Sequence, residues 1–511
     1  MNENDYLKVS SSSDLIGRDR FLYRILEIMP AFLAWLTLLG LVFLSWLTPV
    51  WVAFFIIAFD VYWLLLVLFL GLHLISAYRM LKKNIKINWR EKCESLNDWR
   101  KIRHLIILPV YNENKDIVRT AIQSLIDDGY PTDKMIVALT FEERAGKEIL
   151  DSYNEVIEKY QNKFLYFYHT VHPDGIVGEQ KGKGANQAWV GRKVKVDIID
   201  KYNINYDDLI VSVFDIDTIV RPGYFYRLTY AFLTVSDRFK VSYQPVPVYN
   251  NNLWQAPFFA RVAAMSNTFW QMMQQIRAEK LATYSSHSMS WKALVEIDFW
   301  STNMVSEDSR IFWHCFSYYN GNYRVEPLYF PVSMDVVMDR TSLQTMFNLY
   351  KQQRRWGWGV ENVPYMIFNS IKRWKTMKKS NVISRIFTQI YGFHSWATNA
   401  LIIGVIGWLP LFLGGESFTT TVLSGNLPMI TRSLMTVAMA GLVLSAVIST
   451  LLLPKRPKGF SVINYFLMFV QWIILPISII IFGAIPALEA QTRMALGGKW
   501  RLGFWVTPKK R

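Results

Sequence analysis

The sequence predicts an α/β domain with a mainly parallel sheet, inserted between transmembrane helices in a multi-pass chain. Three observations carry this expectation. Residues 29–47 and 51–74 are long apolar stretches in which Asp60 is the one interruption. Residues 100–375 alternate short apolar runs with segments of helical spacing, and apolar stretches return at 391–413, 429–453 and 460–488. Composition agrees: of 511 residues, 51% are hydrophobic and 19% charged. That is too apolar for a disordered chain and too low in charge for an ordinary soluble one. At this length more than one structural unit is expected.

Residues 1–28 form a polar amino-terminal segment, and its first 20 residues, with serines at 10–13, read as a loose tail. A membrane helix needs about 20 apolar residues, so 29–76 holds two spans joined by a tight turn at Thr48-Pro49. No small-residue cleavage site follows the pair, which speaks against a signal peptide. Arg18, Arg20 and Arg24 precede it, and Arg79, Lys82, Lys83 and Lys86 follow it. The positive-inside rule then places both flanks and the middle region in the cytoplasm, at the inner face of the cell membrane.

Within the middle region, residues 104–110, 135–141, 164–169 and 209–214 are strand-like, and 115–128 and 147–161 have helical spacing. Such alternation argues for a mainly parallel sheet covered on both faces, with ligands beyond the carboxyl ends of the strands. Residues 254–282, rich in Phe, Trp and Met, read as helical packing or membrane-surface contact. Residues 376–390 form an amphipathic interface segment, and the overlapping basic run 372–379 reads as lying against anionic lipid headgroups. About three further spans occupy 391–488. Lys455, Arg456 and Lys458 suit a cytoplasmic loop, and the uncharged stretch 417–428 suits the outer side. Five spans, the favoured count, would leave the basic tail 489–511 outside; a hairpin at Pro476 would make six and return it.

Lys and Arg number 56 against 40 Asp and Glu, for a net charge of +16. That balance fits nucleic acid, anionic lipid or a phosphorylated substrate. A span begins within about 15 residues of the basic run, which favours lipid over nucleic acid. The two cysteines, Cys93 and Cys315, exclude a disulfide scaffold and a cysteine-built zinc site. His169 and His172 lack a nearby carboxylate to complete a metal set and read as structural.

Four short motifs fall at expected strand ends or on helices. Pro109-Val110-Tyr111-Asn112-Glu113 follows the first strand; its plainest reading is a helix start, with Asn112 as cap and Glu113 in the first turn. Phe214-Asp215-Ile216-Asp217 closes the fourth, and its period of two lets both carboxylates face one side. Such a pair needs a compensating cation, and a hard divalent ion that also binds phosphate is the natural one. Ser306-Glu307-Asp308 has the composition of a helix cap. In Gln352-Gln353-Arg354-Arg355-Trp356, the spacing of Gln352, Arg355 and Trp356 puts them on one helical face. The alternative for that segment is a basic amphipathic helix at a membrane surface.

Together and in this order, flanked by spans, the motifs resemble the membrane-integrated family 2 glycosyltransferases, which include cellulose, chitin and hyaluronan synthases. The resemblance covers about residues 104–360 and the arrangement of spans. It implies a GT-A-type fold and an inverting transfer from a nucleotide-diphosphate sugar, expected to be a UDP-sugar, with Mg²⁺ or Mn²⁺. By match of motif, Tyr111 and Glu113 would hold the nucleobase and ribose. Asp215 and Asp217 would approach the sugar diphosphate and bind the metal, with Asp217 the more direct ligand. Asp308 would be the general base. Gln352, Arg355 and Trp356 would contact the diphosphate and acceptor region, and Gln244 would line the acceptor path. Where the family has adjacent aspartates for the base, this chain has Thr140-Phe141-Glu142-Glu143, so Glu142 would substitute. The family's lysine segment appears as Lys181-Gly182-Lys183-Gly184, and either Lys181 or Lys183 would meet the diphosphate.

The expected function is therefore sugar transfer to a growing β-linked polysaccharide at the inner face of the membrane, with possible export of the chain. The alternative is addition of one sugar to a lipid carrier or glycolipid. A non-catalytic scaffold is disfavoured, because buried acids without work to do are costly.

Overall fold

The computed structural model describes residues 5–503 and 505. In chain order its strands are β1 (Arg103–Val110), β2 (Met135–Glu142), β3 (Tyr166–His172), β4 (Leu209–Val213), β5 (Ile219–Val220), β6 (Val241–Tyr249), β7 (Ser288–Ser290) and β8 (Arg324–Met334). They form one sheet in the order β3-β2-β1-β4-β7-β6-β8-β5. β1 to β4 run parallel, as do β6 and β8, while β7 and β5 oppose their neighbours. The sheet is thus mixed but mainly parallel.

β1, β2 and β4 are apolar runs buried along nearly their whole length, as strands covered on both faces must be. Their side chains alternate between two cores. Ile106, Leu108, Val137 and Leu139 pack with Ile122, Leu125 and Phe225 on one face. Leu105, Ile107, Ile136 and Ala138 pack with Val190, Phe312 and Trp313 on the other. The expected helix 147–161 is two pieces, Lys147–Ser152 and Asn154–Tyr160, separated at Tyr153. Tyr153 is buried there, its ring stacked on Phe141 at 5.0 Å.

Outside the sheet, four helices among the described residues are long and apolar enough to cross a membrane: Gly17–Leu47, Pro49–Lys86, Val422–Leu451 and Ile463–Leu496. A fifth arises if Lys379–Gly404 and Ile406–Leu413, which meet at a 43° bend, count as one span. No hairpin forms at Pro476. The last run instead absorbs it in a tightened turn, Gln471–Ile474, followed by a widened one at Ile480–Ala484.

That last run meets the α/β domain at both ends. Near its start, Trp254 packs on Phe460 and Tyr465. Near its end, Glu489 accepts from Arg354 Nη1 at 2.6 Å and from the Tyr350 hydroxyl at 2.7 Å. Beyond it, Arg501 pairs with Glu27 at 2.8 Å. Lys509, Lys510 and Arg511 of the basic tail lie outside the described residues.

The amino-terminal segment differs from the loose tail expected. Leu7, Val9 and Leu15 are buried. Tyr365 Oη donates to Leu7 O at 3.1 Å, Arg310 Nη1 donates to Val9 O at 3.2 Å, and Lys8 pairs with Asp298 at 2.9 Å. Its few apolar residues, spaced among serines, suffice to seat it on the domain.

Candidate active site

The carboxyl ends of β1, β2 and β4 open on one side of the sheet, and the motif residues collect there. Lys183 is the hub. Its Nζ lies 2.6 Å from Asp215 Oδ1 and 2.9 and 3.0 Å from the two oxygens of Asp308. Burial works against the charged ammonium, but Asp215, Asp308 and Glu307 outweigh it and raise the lysine's pKa. Gly182, at φ +146°, turns the chain into the helix Lys183–Val194. A Cβ on Gly184 would stand 3.0 Å from Glu307 Cβ and 3.1 Å from Ser301 O, so any larger residue would press on these neighbours. Lys181 points elsewhere, to Asp174 at 2.8 Å on the surface.

Asp217 is buried, and its Oδ2 accepts the Asp335 backbone N–H at 3.0 Å. Asn251 Nδ2 holds both Asp217 O (3.0 Å) and Asp335 Oδ1 (2.8 Å). Asp215 Oδ2 accepts from the Ser285 hydroxyl at 2.5 Å. Gln244 is buried and bonded to the same loop, accepting from Tyr284 N at 2.8 Å and donating to Ser285 O at 3.2 Å. Its amide therefore supports the loop that touches Asp215.

Glu307 and Asp308 open the helix Glu307–Tyr318, where negative charge is favourable. Ser306 occupies the cap position but makes no side-chain cap bond; its hydroxyl donates to Glu361 Oε1 at 2.6 Å. Burial pushes the Glu307 carboxyl up to about 8, helped by Asp308 and opposed by Lys183 and Arg355.

At the end of β1, Tyr111 N donates to Glu113 Oε2 at 2.8 Å. The following helix is Lys115–Asp127, capped by Asn114 through Asp116 N at 2.9 Å. Asn112 is therefore not the cap, and Glu113 lies outside the first turn. Arg144 stands over the Tyr111 ring at 4.4 Å while its Nε donates to Glu142 at 2.5 Å, so Tyr111, Glu142 and Arg144 form one cluster.

The segment with Gln352, Arg355 and Trp356 lies within the helix Ser342–Gly357, and all three are half-buried. Trp356 packs near Tyr249 at 6.2 Å between ring centres. Burial raises the Tyr249 hydroxyl's pKa, Asp215 and Asp217 raise it further, and Arg355 opposes them, so these charges share one neighbourhood. Arg354 turns away to Glu489.

Ser285, His287, Tyr249, Arg144 and Glu361 belong to this surround but carry no motif. Burial lowers the His287 pKa, with Asp308 and Asp215 opposing it, and its Nδ1 donates to Tyr284 O at 2.9 Å in a loop that sequence alone leaves unmarked. Among the described residues no group of three or more His, Cys, Asp or Glu side chains is arranged to hold a metal by itself. Asp215 and Asp217 are the residues that could hold Mg²⁺, an ion commonly bound by one or two carboxylates together with substrate phosphates.

No family profile matches the chain, and no curated protein sequence does. Solved structures that resemble it are glycosyltransferases. A mannosyltransferase from Pyrobaculum calidifontis, in complex with GDP-Man and Mn²⁺, is 14% identical, covers 77% of this chain and 98% of its own, and has a TM-score of 0.44. S. aureus TarS residues 1–349 in complex with UDP-GlcNAc are 10% identical, cover 70% and 93%, and have a TM-score of 0.37. At that distance the reading of function rests on this chain's own residues.

Proposed function

We propose that the chain is an inverting, membrane-integrated glycosyltransferase of the family 2 type. It would move a sugar from a nucleotide-diphosphate donor to a growing β-linked polysaccharide at the inner face of the membrane. The observation that carries the reading is the convergence of Asp215 and Asp308 on a single, largely buried ammonium, that of Lys183. Residues from separate motifs meet there, where a donor diphosphate and an acceptor hydroxyl would have to be brought together.

In this reading Asp215 and Asp217 would hold Mg²⁺ or Mn²⁺, which when bound would supply positive charge near the diphosphate. Lys183 exchanges its carboxylate partners for diphosphate oxygens and so releases Asp308. Arg355 adds positive charge on the same side. Asp308 then takes the proton of the acceptor hydroxyl as its oxygen attacks the anomeric carbon and the nucleotide diphosphate leaves. One displacement inverts the centre. Tyr111, Glu113 and Glu142 hold the nucleoside end, and Trp356 offers an aromatic face to an acceptor sugar.

The test is incubation of the purified full-length protein with labelled UDP-glucose, UDP-N-acetylglucosamine and GDP-mannose, each with Mg²⁺ or Mn²⁺. A ladder of high-mass product supports polymer synthesis. A single lipid-soluble product would replace it with transfer to a lipid carrier. Absence of sugar transfer across a wider donor panel, from protein that binds nucleotide, would overturn the reading.

A further inference from the structure

We propose that Glu361 is a positioning residue that holds the Asp308 helix in register with Arg355, an inference that rests on the reading of Asp308 as the base. Glu361 closes the short turn Trp358–Glu361, directly after the helix that carries Arg355, and is only 2% exposed. Its Oε1 accepts from both Ser306 N (3.0 Å) and Ser306 Oγ (2.6 Å), and its Oε2 accepts from Trp358 Nε1 at 3.0 Å. Its backbone oxygen accepts from Arg310 Nη2 at 3.3 Å. The next residue repeats the pattern: Asn362 Oδ1 accepts from Arg310 Nε at 2.6 Å, and Asn362 Nδ2 donates to Ser309 Oγ at 2.9 Å. These bonds reach Ser306, Ser309 and Arg310, on both sides of Asp308, while the Asp308 carboxylate itself faces Lys183.

The geometry explains two otherwise awkward features. Ser306 gives up its cap bond, a loss to the helix start, because its hydroxyl serves the link to Glu361. A buried carboxylate is tolerated because three donors satisfy it and because it sits at a helix amino terminus. The link spans the two segments whose side chains must act together, the base on one and the diphosphate-binding arginine on the other. Misplacement by about 1 Å of such groups can cost 10²-fold in rate.

Glu361→Gln tests the idea. The amide oxygen can still accept from Ser306, but its NH₂ then faces the Trp358 N–H, two donors in a buried site. Full-length enzyme should show kcat reduced about 10- to 100-fold, with donor KM and the stoichiometry of UDP or GDP binding in Mn²⁺ unchanged. The acidic limb of its kcat–pH profile should move, which a loss of folded protein would not cause. Glu361→Gln/Trp358→Phe, lacking the opposing donor, should regain most of the lost kcat. Wild-type kcat with an unmoved acidic limb in Glu361→Gln would overturn the proposal, as would a double variant no better than the single one. Asp308→Asn is measured alongside: transfer that survives it would refute the base itself, whatever Glu361 does.

Discussion

Glu307 carries a carboxyl whose proton is harder to lose than usual, because burial disfavours its charged form and Asp308 lies beside it. The folded state therefore retains a proton that the unfolded chain releases near 4.5. The stability this gives is fully present below that pH and is lost as pH rises through about 8. Glu307→Gln should flatten the decline of Tm between pH 5 and pH 8; Tm–pH curves that run parallel for the two proteins would remove Glu307 from the account. Its neighbour should behave differently. Asp308→Asn should lower sugar transfer by ~10²–10⁴, the usual cost of removing a positioned base, while nucleotide binding survives. A collapse of nucleotide affinity instead would assign Asp308 to the donor site. For Asp217→Asn, a neutral amide is a weaker ligand to a hard cation. Transfer should fall and respond little to added Mn²⁺, and undiminished transfer in a chelator would dismiss the metal.

One element, the helix Ser342–Gly357, separates two adjacent arginines by function. Arg354 is spent on Glu489 of the last apolar run, whereas Arg355 stands near Glu307 and Tyr249. Arg355→Lys keeps the charge but loses the planar fork that grips two oxygens, so kcat should drop at least tenfold. Arg354→Lys keeps the charge that the part-buried Glu489 pairs with, so kcat should stay within about threefold. Equal losses from the two would indicate a general basic surface. The sequence showed this helix well, because the spacing of Gln352, Arg355 and Trp356 alone sets a shared face. It also showed β1, β2 and β4, whose mainly apolar runs suit covered strands. It hid β6, where Pro245 and Pro247 read against a strand although the ladder merely bulges between Gln244 and Val246. It hid β7 as well, which is three residues long. Ser285, Glu361 and the two partners of Lys183 were not legible as contacts, because each joins residues far apart in the chain and no local period encodes that.

At the scale of the whole molecule, the unresolved matter in the sequence was the side of the membrane on which the basic tail lies. The last apolar run has 34 residues, about 51 Å of helix and ample for one crossing. Its contacts argue otherwise. Trp254 of the α/β domain takes its start, Arg354 and Tyr350 of the same domain take its end, and Arg501 closes on Glu27 beside the packed amino-terminal segment. Because the run makes no hairpin, two ends that both meet one domain are expected of a helix lying along that domain's side rather than crossing. The tail, the amino terminus and the α/β domain are then expected to share a side, as the positive-inside rule asks of Arg493, Lys499 and Arg501. Cysteine labelling can decide this, since Cys93 and Cys315 are both buried. In vesicles of known orientation, Ser13→Cys and Lys499→Cys should react with a membrane-impermeant maleimide from the same side. Thr420→Cys, beyond the bent helix pair, should react from the opposite side. If Lys499→Cys labels together with Thr420→Cys instead, the last run crosses the membrane and the contacts at its two ends cannot both exist in the bilayer.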